Sequence, residues 1–213
     1  MKSLTLRSSV ALACALSLVA CGGGRGNLQL GGRIFGGVSE GSLVLGGLTK
    51  DGLVLQNNGG APLAVPAGSQ TFAFPDLLGS DEAFNVTIQS KPASAVCTVV
   101  NGKGKTGAFN VSTVEVHCIT NSYELGGNIS GLGNATGLVL VNGADRQEIS
   151  AGATSFTMTR VKADGSYASG KVADGSPYGV TVLTQPEGRS CTVLNGVGTM
   201  GAAKVDTIQV NCI

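Results

Sequence analysis

The sequence predicts an all-β chain of two tandem immunoglobulin-like β-sandwich modules, and three observations carry that prediction. Short runs rich in Val, Leu and Ile alternate with clusters of Gly, Asn, Asp and Pro, as strands alternate with tight turns. No amphipathic helical period appears beyond the first twenty residues. The chain also contains itself twice. Sliding residues 84–119 by 94 positions onto residues 178–213 matches 16 of 36 residues without a gap, and a repeat of this period is a folding unit. Thirty-four glycines, no tryptophan and 13% charged residues would suit a low-complexity chain, but 42% hydrophobic residues argue for packed cores.

The N-terminus gives an address. Lys2 and Arg7 precede an apolar run over residues 10–19, which ends in Leu18-Val19-Ala20-Cys21. The run is too short to span a bilayer and reads as a secretory signal over residues 1–20. Its ending resembles the lipobox of bacterial lipoproteins, which implies that Cys21 is the acylated first residue of the mature protein. Gly22 stands where an aspartate would favour inner-membrane retention, so the same resemblance implies the outer membrane. The mature chain is then 213 − 20 = 193 residues long. Its net charge is 12 − 13 = −1, because Lys2 and Arg7 leave with the signal. That balance offers no electrostatic footprint for nucleic acid. No later apolar stretch reaches the length of a membrane span, so the lipid is the expected membrane contact.

Residues 21–41 are glycine-rich and read as a flexible tether, with Leu28–Leu30 and Ile34-Phe35 left as a possible edge strand. Module 1 is placed at 42–120 and module 2 at 121–213. The opening strand is expected near Leu43-Val44-Leu45 in the first copy and over Leu125–Ser130 in the second. Leu53-Val54-Leu55, Phe72-Ala73-Phe74, Val86-Thr87-Ile88, residues 97–100 and residues 111–119 follow as strands, giving six or seven per module. The copies share GLVL at residues 52–55 and 137–140.

Of six cysteines, Cys14 leaves with the signal and Cys21 takes the lipid. Cys97, Cys118, Cys191 and Cys212 remain in a compartment that permits disulfides. Four cysteines allow three pairings, and the duplication selects one: the 97-to-118 spacing equals the 191-to-212 spacing. Val114, Val116 and Cys118 alternate with Glu115 and His117, so the cysteine faces inward. A hairpin turning within residues 101–107 would set Cys97 opposite Cys118. The expected bonds are Cys97–Cys118 and Cys191–Cys212, each stapling one hairpin.

The copies differ between Met158 and Cys191, 33 positions apart against 23 for Phe74 and Cys97. The added length carries two Asp-Gly turns with tyrosines nearby. Asp164, Tyr167, Asp174 and Tyr178 are therefore a candidate binding loop, although a tolerated loop expansion is the simpler account.

Other motifs carry little chemistry. Gly37-Val38-Ser39-Glu40-Gly41 matches G-x-S-x-G but lacks the helix and histidine base that a nucleophile elbow needs. Gly102-Lys103-Gly104-Lys105-Thr106-Gly107 mimics a phosphate loop. Its duplicate, Gly196-Val197-Gly198-Thr199-Met200-Gly201, keeps the glycines and loses the lysines. His117 is the only histidine, and its counterpart is Asn211. It is expected on the solvated face, and no metal or cofactor site is expected. Carboxylates such as Asp164 with Asp174, or Asp76, Asp81 and Glu82, are of the type that flanks a sugar or holds Ca²⁺, although exposed loop charges are the simpler account, and they keep open an alternative as a small carbohydrate- or peptidoglycan-acting protein.

GLVLQNNGG at residues 52–60, CTVVNGKGKTG at 97–107 and CTVLNGVGTMG at 191–201 together resemble a repeat of proteobacterial lipoproteins and surface proteins. The second copy departs from it at Val141 and Asp145-Arg146. The resemblance implies sandwich modules used for spacing or recognition, with no catalytic residues. The expected function is a non-enzymatic cell-envelope lipoprotein, anchored to the membrane through Cys21 and facing the periplasm or the medium. It would act as a spacer or adhesion module for a protein or glycan partner.

Overall fold

In a computed structural model, which describes residues 26–38 and 42–213, the chain is all-β, with no helix among the described residues. The signal segment 1–20 and Cys21 lie outside the described residues. The first module comprises β1 (Leu30–Val38), β2 (Val44–Leu45), β3 (Leu53–Asn57), β4 (Leu63–Val65), β5 (Thr71–Ala73), β6 (Ala83–Ser90), β7 (Ala95–Val100), β8 (Lys103–Lys105) and β9 (Val111–Thr120). A short β10 (Ser122–Tyr123) lies in the connection. The second module comprises β11 (Leu125–Ser130), β12 (Val139–Asn142), β13 (Asp145–Glu148), β14 (Ser155–Thr157), β15 (Thr159–Val161), β16 (Tyr167–Ser169), β17 (Val172–Ala173), β18 (Pro177–Thr184), β19 (Cys191–Leu194), β20 (Val197–Thr199) and β21 (Val205–Cys212).

The duplication in sequence is a duplication in topology. In module 1, one sheet runs β1-β9-β7, with β5 and β2 sharing the other side of β1, and the second runs β4-β3-β6-β8. Module 2 repeats this as β14-β11-β21-β19 and β13-β12-β18-β20. Alternating apolar residues of both sheets meet between them. Leu30, Ile34, Val114 and Val116 pack with Leu53, Leu55, Phe84 and Val86 in one core. Leu125, Ile129, Ile208 and Val210 pack with Leu138, Leu140 and Val180 in the other. Each such fully buried aliphatic side chain stabilises by about 1.5–3 kcal/mol relative to exposure.

The structure corrects the expected tether. Residues 30–38 form β1, a strand inside the sheet, paired in parallel with β9 and antiparallel with β5 and β2. Module 1 therefore opens at Leu30 rather than at residue 42, and Val44-Leu45 is only a short exposed strand beside β1. The physical reason lies in what the glycines do. A Cβ on Gly32 would strike the Val114 carbonyl, and one on Gly127 the Ile208 carbonyl. Both parallel pairs carry a register shift at that point, between Leu30 and Gly32 and between Leu125 and Gly127. These glycines permit close backbone approach at a bulge, not flexibility.

The cysteines pair as Cys97–Cys118 and Cys191–Cys212. Each pair sits directly opposite across antiparallel neighbours, with Cα atoms 4.1 Å and 4.0 Å apart. The bonds do not staple simple hairpins, however. Between β7 and β9 the chain crosses to the other sheet, where β8 pairs with β6, and β20 repeats this by pairing with β18. Each disulfide thus closes a loop that threads both sheets of its sandwich.

Candidate functional site in the expanded loop of the second module

The expansion resolves into two parts with different partners. Its first part is the β15–β16 hairpin, which pairs Val161 with Tyr167. The turn is closed at Asp164-Gly165. Gly165 takes φ +80°, a conformation that side-chain-bearing residues rarely adopt. The Asp164 carboxylate accepts hydrogen bonds from the Ser166 hydroxyl at 2.6 Å and the Ser166 amide at 2.9 Å. Those two bonds hold its carboxyl below the ordinary aspartate range. Beyond the turn, Tyr167 stands 70% exposed.

The second part turns inward. Val172 and Ala173 of β17 pair with Tyr123 and Ser122 of β10, so the expansion grips the connection between the modules. Asp174 then reaches module 1, with one carboxylate oxygen 2.6 Å from Lys50 Nζ. It also accepts a hydrogen bond from Ser94. The Lys50 and Ser94 hydrogen bonds lower its pKa. The Asp174 amide donates to the Asn121 carbonyl at 3.0 Å, and the Thr49 and Thr120 hydroxyls lie 3.2 Å apart beside it. Asp174 is therefore a junction residue.

The four expected binding residues are accordingly not gathered into one site. Asp164 and Tyr167 share the hairpin, Asp174 belongs to the junction, and Tyr178 lies half-buried on β18 with its ring over Gly198. Asp164 and Asp174 are held by different partners, Ser166 and Lys50. Among the described residues, no group of three or more His, Cys, Asp or Glu is placed to hold a metal ion.

Two concave regions flank the hairpin. A cleft of about 410 Å³ lies at the junction, bordered by Val38, Ser122, Asn142 and Lys171. Its wall holds Asp145, only 6% exposed, to which Arg160 donates from Nε at 2.9 Å and from Nη2 at 3.2 Å, one bond to each carboxylate oxygen. The second is a groove of about 390 Å³ between the hairpin and edge strand β13, lined by Arg146, Gln147, Glu148, Thr159, Val161 and Tyr167. The Thr159 hydroxyl fixes one wall to the other, 2.9 Å from Gln147 Oε1 and 3.1 Å from the Arg146 carbonyl. Arg146 Nη2 lies 3.3 Å from Glu148 Oε1, with both side chains at least half exposed. The β13 residues escaped the sequence reading as a site. Their signal was the break at Asp145-Arg146 in an otherwise repeated pattern.

The decoy motifs have structural employment. Asn101 and Asn195 take the left-handed turn position at φ +55° and +56°, and each donates from its amide to the next strand, to the carbonyls of Thr113 and Thr207. Gly102 and Gly196 follow, where a Cβ would collide with the Val99 and Val193 side chains. Thr106 is 2% exposed; its hydroxyl donates to the Gly79 carbonyl and accepts from the Glu82 amide at 2.9 Å. Glu82 in turn accepts from the Gly79 amide at 2.6 Å. The glycine-lysine run therefore turns at Gly102 into strand β8, which pairs with β6, and Thr106 ties its end to the Gly79–Glu82 segment. His117 lies half-buried on the outer face, edge-on to Phe35 at 5.2 Å and 2.9 Å from the Glu115 carboxylate. Gly37 and Val38 end β1, and Ser39, Glu40 and Gly41 lie outside the described residues.

No family model and no curated protein matches the chain. Among solved structures, the shaft pilin SpaA of Lactobacillus rhamnosus GG aligns over 86% of this chain and 97% of its own, at 12% identity and a TM-score of 0.29. The open conformation of the pilus adhesin SpaC from the same organism aligns over 86% of this chain and 31% of its own, at 10% identity and a TM-score of 0.25. Superpositions this loose carry no argument about function, which rests on the chain's own residues.

Proposed function

We propose that the chain is a non-enzymatic, lipid-anchored envelope protein whose paired sandwiches form a stiff spacer that presents the second module. The observation that carries the spacer reading is the junction. Residues 121–124 join the modules, and the expansion of module 2 clamps them through the β10–β17 pairing and the Lys50–Asp174 ion pair. An interface invested with strand pairing and a charge-assisted hydrogen bond opposes the free relative motion that is the default for tandem domains. Anchoring rests on the Leu18-Val19-Ala20-Cys21 ending. Five residue steps separate Cys21 from Gly26, a reach of at most about 18 Å.

The stiffness is testable by distance measurement. Thr87 and Thr181 are equivalent exposed positions on β6 and β18. Spin labels introduced there as non-canonical amino acids spare the disulfides. A single narrow distance distribution is expected. A broad distribution, unchanged in Asp174→Ala, would refute the spacer.

A further inference from the structure

The two modules serve as controls for each other at the groove beside the hairpin. In module 1, β3 pairs Leu55 with Leu63 and Val54 with Ala64. In module 2, the matching residues of β12 are Leu140 and Val139, which pair with Gln147 and Glu148. The apolar edge of one copy has thus become polar in the other. The same copy has gained a hairpin that lies over that edge and holds an exposed tyrosine above it. Packing against the hairpin accounts for Gln147, which the Thr159 hydroxyl bonds, but not for Glu148, whose side chain stays 74% exposed beside the groove.

We propose that this groove is a binding site for a neutral saccharide, with Tyr167 as its stacking platform and Arg146, Gln147 and Glu148 as its hydroxyl-reading groups. The class of ligand follows from the chemistry. A tyrosine ring offers a rigid amphipathic face at low entropic cost. A carboxylate, a guanidinium and an amide supply the acceptors and donors that adjacent sugar hydroxyls need. Arg146 and Glu148 neutralise each other at 3.3 Å, which disfavours a charged ligand. Gln147 is oriented in advance, with Oε1 taken by the Thr159 hydroxyl and Nε2 donating to the Glu148 carbonyl at 2.8 Å. The groove's volume of about 390 Å³ falls within the range of small-molecule sites.

The site rests on the proposed function by giving the presented second module a ligand, and it stands or falls apart from the spacer, because the spin-label distances do not involve it. The chain has three tyrosines and no tryptophan, so intrinsic emission reports on tyrosine alone. The test screens the full-length protein in detergent micelles against an array of neutral and acidic oligosaccharides. Titration of the tightest binder is then followed by tyrosine emission in the native protein, and by calorimetry in the native protein and in Tyr167→Ala, Tyr167→Phe and Gln147→Ala, because the first two variants lack the emitting ring. The expected result is a neutral saccharide whose affinity falls about tenfold or more in Tyr167→Ala and Gln147→Ala. Tyr167→Phe should keep most of it, with every variant melting like the native protein. Absence of binding on the array, preference for acidic sugars alone, or undiminished affinity in Tyr167→Ala would each overturn the proposal. Were Tyr167→Ala to melt early, Gln147→Ala alone would decide.

Discussion

Lys50 Nζ lies 2.6 Å from the Asp174 carboxylate, across the junction of two modules that diverge at this residue. Lys50 belongs to the loop before β3, and Asp174 belongs to the segment that only the second copy possesses. The pair turns a loop expansion into an intramolecular clamp.

The clamp predicts a pH-dependent stability. Hydrogen bonds from Lys50 and Ser94 lower the Asp174 pKa below its ordinary 3.8. The stabilisation is therefore fully present above that value and disappears as pH falls through the lowered folded-state pKa. Melting temperatures of the native protein and Asp174→Asn should differ at neutral pH and converge in acid. Because the pair is only partly covered, added salt should also narrow the gap.

The disulfides predict a second measurable effect. Each closes a loop with a sequence separation of 21, worth about 3 kcal/mol in the chain-entropy model. Cys97→Ala with Cys118→Ala should lower the denaturant midpoint of module 1, and Cys191→Ala with Cys212→Ala that of module 2. Buried Cys118, Cys191 and Cys212 should also make both bonds slow to reduce until the protein is partly unfolded. Full thiol titration of the untreated native protein would contradict the pairing.

The bulge glycines predict a sharp contrast. Gly32→Ala and Gly127→Ala press a methyl group onto the Val114 and Ile208 carbonyls, and each should cost about 3 kcal/mol or more. Gly107→Ala and Gly201→Ala, with nothing within 4 Å of the added carbon, should change stability by less than about 0.5 kcal/mol. Chemical denaturation of the four variants distinguishes the groups directly.

These glycines also show how far the fold was legible. The duplication, the strand runs and both cysteine pairs could be read because they depend on pattern and spacing, which sequence displays. The β1 strand was misread because Leu30-Gly31-Gly32-Arg33-Ile34 resembles a linker by composition. Its signal was present in Leu125-Gly126-Gly127-Asn128-Ile129, the same motif opening the second copy. The excursion of β8 into the opposite sheet was not legible, because Lys103-Gly104-Lys105 has no apolar pattern and is placed by pairing with β6. At the candidate site, Tyr167 and Asp164 were visible as turn chemistry. Arg146, Gln147 and Glu148 join them only through a tertiary contact, which local sequence does not encode.

The most direct test of the account is metabolic labelling with radioactive palmitate in a bacterial host, comparing the full-length chain with Cys21→Ser. The account predicts label on the native protein in the membrane fraction, and loss of that label in Cys21→Ser. A native protein that carries no label and fractionates as soluble would contradict a lipid-anchored envelope role.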